Sequence, residues 1–169
     1  MKAVDAATRH DFWTTGQHHL YPMTGVAVGD LPDGMGKAAL DLAARLILPS
    51  IAFAFDALLK SLHFKDLFLA RYEPSGLPGR GRHTDGSAYS FNMLLSDLMA
   101  DFDRGGTWIE PVGLVRSGHG DVLMHRGDLP HEGRPVCPGA CATCLSGSYR
   151  ATTLTAARSS TQTGRASCC

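Results

Sequence analysis

The stretch DLFLARYEPSGLPGRGRHTDGSAYSFNMLL, residues 66–95, decides the predicted fold. Residues 66–73 and 88–95 are rich in aromatic and aliphatic residues, and in the second segment apolar and polar side chains alternate. Such alternation is typical of a strand that buries one face. Residues 74–82 are rich in proline and glycine, which predicts a loop. The stretch is therefore predicted to form two strands joined by a loop.

Helices are expected on the N-terminal side of this stretch. Residues 35–61 are rich in Ala and Leu, and their apolar positions recur with a helical period. A proline inside a helix removes a hydrogen bond and clashes with the preceding turn. Pro49 is therefore expected to divide the segment into helices at 36–48 and 50–61, with Ser50 capping the second.

Further strands complete the predicted domain. They are expected at residues 25–28, 107–110, 121–125 and 148–155. Helices followed by several short strands predict the α+β class, with N-terminal helices packed on a β-sandwich or open barrel. The domain is expected to occupy residues 1–155. Residues 156–169 are expected to form a poorly ordered tail, because too little apolar surface offsets the entropy of ordering them.

The charge and hydropathy of the chain limit its partners. Sixteen basic and sixteen acidic residues cancel, so no net field favours nucleic acid or an anionic membrane as a partner. No run approaches the roughly 20 apolar residues that cross a bilayer, and residues 1–13 lack the apolar core of a secretory signal. We therefore expect a soluble protein, cytoplasmic by default. An odd number of cysteines near one end favours free thiols over a disulfide framework: Cys137, Cys141, Cys144, Cys168 and Cys169.

The tripeptide His83-Thr84-Asp85 is the first candidate metal site. Residues i and i+2 of a strand point to one face, so this pair directs an imidazole and a carboxylate at one point. With a histidine from a distant strand they form the facial triad of two histidines and one carboxylate that binds iron(II) with open positions. His131 has a suitable separation along the chain, and His125 is a competing ligand. The tripeptide alone is weak evidence, so its surroundings matter.

Three segments in sequence carry a more specific signal: RYEPSGLPGRGRHTDGSAYSFNMLLSD (71–97), DFDRGGTWIE (101–110) and GDVLMHRGDLPHEGRPV (120–136). Together they resemble the catalytic domain of prolyl and lysyl hydroxylases. These are iron(II)- and 2-oxoglutarate-dependent dioxygenases with a double-stranded β-helix, or jelly-roll, fold. The resemblance extends over residues 66–136, which leaves open a jelly roll that is incomplete at the C-terminus.

The resemblance implies a site and a reaction. His83, Asp85 and His131 correspond to the iron ligands, and Tyr72 and Thr107 fall near the cosubstrate, although Tyr72 is equally suited to a core aromatic role. The implied cofactors are Fe(2+), 2-oxoglutarate and ascorbate. The implied reaction uses O2 to hydroxylate a prolyl or lysyl side chain of a peptide or protein. The loop at 74–82, with Arg71, Arg80 and Arg82 in or near it, is expected to form a rim for that substrate.

One part of the family pattern is missing. The resemblance implies a Lys or Arg about ten residues after the distal histidine that binds the far carboxylate of 2-oxoglutarate. Cys141 stands at that place. Three explanations are open: an insertion that makes Arg150 the anchor, an altered reading frame with the last strands absent, and a true loss. The alternative function is therefore a catalytically inactive or truncated jelly-roll relic that binds metal or a partner without turnover.

Overall fold

A computed structural model of the chain describes residues 12–15, 23–97, 100–102, 104–137 and 141–152. Within these residues, nine strands form two antiparallel sheets whose side chains line a common pocket. The larger sheet has the order β1-β2-β9-β4-β7, and the smaller has the order β3-β8-β5-β6. The strands are β1 Thr24–Ala27, β2 Leu62–Tyr72, β3 Arg80–His83, β4 Tyr89–Leu94, β5 Thr107–Ile109, β6 Gly113–Val115, β7 Val122–Arg126, β8 His131–Gly133 and β9 Ala142–Ala151. The predicted α+β, jelly-roll-like fold is confirmed.

A helical layer covers the outer face of the larger sheet. Helix α1 (Met35–Leu42) continues through a π-helical segment (Ala43–Ile47) into α2 (Leu48–Ala54), and single 3-10 turns lie at Val28–Asp30 and Leu59–Ser61. The buried side chains of this layer and of the sheet form the main core: Val26, Val28, Leu31, Ala43, Ile47, Ile51, Leu62, Leu69, Phe91, Leu145 and Tyr149. Within the described part of the chain, no helix is long and apolar enough to cross a membrane.

The helical boundaries differ from the prediction. Pro49 does not end the helical run; it lies in the first turn of α2, directly after the π-helical segment in which the N–H of Leu48 donates to the carbonyl of Ala43. Ser50 is not an N-cap; its Oγ donates to the carbonyl of Leu46, 2.7 Å away, inside the helical run. The second helix ends at Ala54 rather than at 61. The interruption is the wider π-helical turn before Pro49.

The last strand is the main correction to the sequence analysis. Only residues 148–155 were expected to form a strand, yet β9 begins at Ala142 and lies between β2 and β4 at the centre of the larger sheet. Its side chains alternate, with Leu145 and Tyr149 on the helical side. Cys144 and Ala142 line the pocket on the other side. The explanation in which the last strands are absent is therefore wrong for this strand.

The remaining strand predictions are confirmed within a few residues, except that β2 begins at Leu62, before the expected residue 66. The strands β3, β6 and β8 were missed, since three or four residues carry too little periodicity to detect. The expected tail at 156–169 lies outside the described residues, and the domain limit at 155 stays a prediction.

Gly147 tests whether β9 belongs to the core. A Cβ atom at this position would lie 2.6 Å from Cε1 of Phe91 and 2.9 Å from the carbonyl oxygen of Asp66. We expect Gly147→Ala to lower the free energy of unfolding by about 1–3 kcal/mol, because the neighbours must move apart. Gly29→Ala is the matched control, since a Cβ there meets nothing within 4 Å. Urea denaturation of both variants measures the difference, and equal stability would mean that β9 is not packed in this way.

Candidate metal centre

Three side chains converge at one end of the smaller sheet. His83 ends β3, His131 begins β8, and the two residues are directly opposite each other in the ladder. Asp85 follows in the next loop, where its backbone N–H donates to the carbonyl of Gly127 at 2.7 Å. The Nε2 atoms of both histidines lie 3.6 Å from carboxylate oxygens of Asp85. One ligand atom from each residue lies within 4.8 Å of the others, a spacing that fits a single metal ion.

Backbone carbonyls orient both imidazoles. Nδ1 of His83 donates to the carbonyl of Gly81 at 2.7 Å, and Nδ1 of His131 donates to the carbonyl of Leu129 at 3.0 Å. A carbonyl oxygen can only accept, so each Nδ1 carries the proton and each Nε2 presents a lone pair. Such hydrogen bonds fix the tautomer and the ring orientation of metal-ligating histidines. The sequence could not show this support, because it comes from the backbone.

The charge states also suit a metal. Burial, followed by the positive charge of Arg80, lowers the pKa of His83 to about 4, so its imidazole is neutral at physiological pH. Burial alone would raise the pKa of Asp85. The Ser90 hydroxyl, which donates to Oδ2 at 2.5 Å, and the neighbouring histidines outweigh burial and hold that pKa below its usual value. Two imidazoles and one carboxylate are the donor set expected for non-haem iron(II).

His125, the competing candidate, lies beside this group. It is buried opposite Ser90 in the β4–β7 ladder, and its ring centroid is 4.4 Å from that of His131. Its Nδ1 donates to the carbonyl of Arg126 at 2.9 Å, and burial lowers its pKa. Among the described residues, the group that can hold a metal comprises His83, Asp85 and His131, without His125.

A pocket between the two sheets contains the two histidine ligands. Tyr72 and Thr107, the predicted cosubstrate residues, both line it. Burial raises the pKa of Tyr72 to about 12, so its hydroxyl stays protonated. The lining residues from the strands of both sheets are Tyr72, Arg80, His83, Asn92, Leu94, Thr107, Val115, Leu123, His131, Gly133, Ala142 and Cys144.

Arg150 is not brought into this pocket. It is exposed near the end of β9 and lies opposite His63 in the β2–β9 ladder. The pocket-lining residues of β9 are Ala142 and Cys144, near the other end of the strand. An arginine whose side chain faces solvent there cannot contact a ligand at the metal. The insertion explanation, which made Arg150 the anchor, is therefore corrected.

The arginines of the expected substrate rim have different positions. Arg80 lines the pocket. Arg82 forms an ion pair with Glu110, and its guanidinium lies 5.0 Å from the ring centroid of Trp108. Arg71 is paired with Glu73 at 2.9 Å. Of these three arginines, Arg80 is the one that lines the pocket.

The structure is similar to several solved oxygenases. A prolyl hydroxylase from Trichoplax adhaerens, in complex with a hypoxia inducible factor oxygen degradation domain peptide fragment, matches with a TM-score of 0.64 and 17% identity over 89% of this chain and 76% of that chain. The chain has the fold of the 2-oxoglutarate- and iron(II)-dependent oxygenases. Its resemblance to this family, first expected from the sequence motifs, is confirmed at the level of the fold.

Two further solved proteins are similar to this chain in fold. The alpha-ketoglutarate-dependent epimerase SnoN from nogalamycin biosynthesis has a TM-score of 0.66 and 15% identity, over 89% of this chain and 71% of that chain. A 2OG-Fe(II) oxygenase family oxidoreductase from Burkholderia pseudomallei has a TM-score of 0.56 and 19% identity over 69% of this chain. The match spans 58% of that oxidoreductase. No protein-family model and no curated protein matches the sequence.

Ser90 is expected to position Asp85 for the metal. In Ser90→Ala the carboxylate loses its hydroxyl donor, so its pKa rises and its orientation is less fixed. Changes of this kind cost about 10- to 100-fold in metal affinity, which we expect in a cobalt(II) titration followed by visible absorption. Ser146→Ala is the matched control, since this buried hydroxyl donates to Asn92 instead. Equal cobalt(II) affinity in both variants would contradict the role of Ser90.

The metal-free protein should lose stability in mild acid. The pKa of His83 is about 4 in the folded state and about 6.5 in the unfolded chain. Between these values the unfolded state binds more protons, so stability is full above about pH 6.5 and falls as the pH decreases toward 4. We expect this decrease in urea denaturation with a chelator present, and a smaller decrease in His83→Ala. An unchanged pH dependence in the variant would contradict the low pKa.

Proposed function

We propose that this chain is a 2-oxoglutarate- and iron(II)-dependent dioxygenase that hydroxylates a prolyl or lysyl side chain of a peptide or protein. The observation that carries the proposal is the convergence of His83, Asp85 and His131 inside a jelly roll, with both Nε2 atoms 3.6 Å from the carboxylate. This arrangement leaves open coordination positions for a chelating cosubstrate and O2. Iron and 2-oxoglutarate, when bound, supply the oxidising chemistry, and ascorbate is proposed to keep the iron reduced.

The chain's own residues bind, orient and exclude water. The carbonyls of Gly81 and Leu129 hold the histidine rings in one tautomer, and Ser90 holds the carboxylate. Four buried apolar residues that pack together also line the pocket: Leu94, Phe102, Val136 and Ala142. A dry pocket strengthens the electrostatic contacts of its ligands and suppresses side reactions.

Two observations favour a peptide substrate: the peptide bound to a protein of similar fold, and the position of the loop between β2 and β3. The prolyl hydroxylase from Trichoplax adhaerens was solved with a peptide fragment, which favours a peptide for this chain as well. The loop between β2 and β3 connects a pocket-lining strand to the strand that carries His83. A peptide bound across this loop would present a side chain to the metal from the open end of the pocket.

The alternative is a jelly-roll relic that binds metal or a partner without turnover. It is favoured by the larger sheet, where the pocket-lining residues of β9 are Ala142 and Cys144 and neither can bind a carboxylate as a cation does. Burial raises the pKa of the Cys144 thiol to about 12, so it is neutral and cannot replace a basic residue. The two functions differ in whether 2-oxoglutarate binds beside the metal.

Anaerobic titration separates these functions. We expect the weak visible charge-transfer band of an iron(II)–2-oxoglutarate chelate when both are added, and its loss in His83→Ala. Removing a metal ligand should lower the affinity for iron(II) by more than the roughly 100-fold seen for changes in the residues that support metal ligands. Under air, a proline-containing peptide should increase succinate formation relative to the same peptide with alanine. Iron binding without the band would favour the relic.

A further inference from the structure

The larger sheet contains no cation where the family pattern places one. Across its pocket side, the register aligns Leu94 with Cys144 and Asn92 with Ser146, and Tyr72 with Ala142. None of these side chains is charged at neutral pH. A dicarboxylate bound at the metal would therefore find no basic partner on this wall of the pocket.

The smaller sheet instead provides a basic residue, Arg80, on the other side of the pocket. Arg80 lies opposite Gly133 in the β3–β8 ladder, and Gly133 lies opposite Thr107 in the β5–β8 ladder. This row is two residues along β8 from His131, which lies opposite His83. Two residues of a strand span about 7 Å. A five-carbon chain chelated at the metal can extend over that distance, from the histidine row to the row of Arg80.

The surroundings of Arg80 also suit an anion. It lines the same pocket as Tyr72 and His83. A Cβ at Gly133 would lie 3.3 Å from the backbone nitrogen of Arg80, 3.6 Å from its Cβ and 3.7 Å from Cε1 of Tyr72, so both residues lie against this glycine. Among the described residues that line this pocket, none is acidic. The lining of the pocket around Arg80 therefore carries positive charge.

We propose that Arg80 binds the far carboxylate of 2-oxoglutarate, so that the anchor comes from β3 of the smaller sheet rather than from β9. This inference rests on the proposed function and assigns one of its binding residues. An arginine can hold a carboxylate through two parallel N–H···O bonds, and the Tyr72 hydroxyl beside it is protonated and can donate a third.

The other pocket arginines fit this role less well. Arg134 is held by Glu132, with its Nε 2.7 Å from a carboxylate oxygen. Arg104 and Arg116 are exposed and lie outside the strands, before β5 and after β6. Arg80 belongs to a strand and lies in the same cross-strand row as Thr107. Of these pocket arginines, it is the one that lies within a strand of the sheet that carries His83 and His131.

The test compares two ligands in one titration. 2-Oxopentanoate has the same five-carbon chain and chelating end as 2-oxoglutarate but no far carboxylate. Under anaerobic conditions with iron(II), the wild-type protein should bind 2-oxoglutarate more tightly, as measured by the charge-transfer band. Arg80→Leu should weaken 2-oxoglutarate about 10- to 100-fold, the usual worth of a charge-assisted contact, and leave 2-oxopentanoate unchanged within about two-fold. Arg80→Gln, closer in size, should give the same result if the leucine variant unfolds.

Arg116→Leu is the matched control, since it also removes a pocket-lining arginine and should preserve the preference for 2-oxoglutarate. Three results would each overturn the assignment of Arg80. They are equal weakening of the binding of both acids in Arg80→Leu, no preference of the wild-type protein for 2-oxoglutarate, and loss of that preference in Arg116→Leu. In these cases the chelate still forms and the proposed function stands. Iron binding without a band for either acid, with iron measured separately by chelator competition, would instead refute the proposed function.

Discussion

The pairing of β3 with β8 is the constraint on which the metal centre depends. It places His83 directly opposite His131, although the two residues are far apart in sequence. Because side chains alternate along a strand, a slip of one residue would turn one imidazole to the other face of the sheet and destroy the site. The loop that follows then needs to supply only Asp85, whose N–H is fixed by Gly127. A two-strand register therefore sets most of the geometry.

The two sheets contribute in different ways to the molecule. The larger sheet carries the helical layer and the main core, which includes Phe91 and Tyr149. The smaller sheet is built from strands of three or four residues and carries both histidines of the candidate metal centre. This division lets the core hold the fold while the chemistry sits on short strands whose ends and loops can vary. It is also consistent with the range of reactions named for proteins of similar fold, which include hydroxylation and epimerisation.

Local patterns were predictable from the sequence, and non-local ones were not. The alternation in β4 and the His83-Thr84-Asp85 spacing depend on neighbours along the chain, so both were found. Only the end of β9 was predicted, because the small residues of its first part resemble a loop and pairing with β2 and β4 is what makes the strand central. Pro49 was misjudged because its effect depends on its place in the helical turn. The position of Arg80 beside the pocket depends on how β3 meets β8, which no local pattern contains.

The placement of the ligands makes the metal a cross-link. It would tie the end of β3 to the start of β8 and to the loop containing Asp85, in the sheet that has the shorter strands. A ligand that binds only the folded state stabilises what it joins. Without metal, this sheet should open more often than the core sheet, and its amide protons should exchange with solvent first. Metal supply would then govern the lifetime of the protein in a cell as well as its chemistry, since a frequently opened sheet is exposed to proteases.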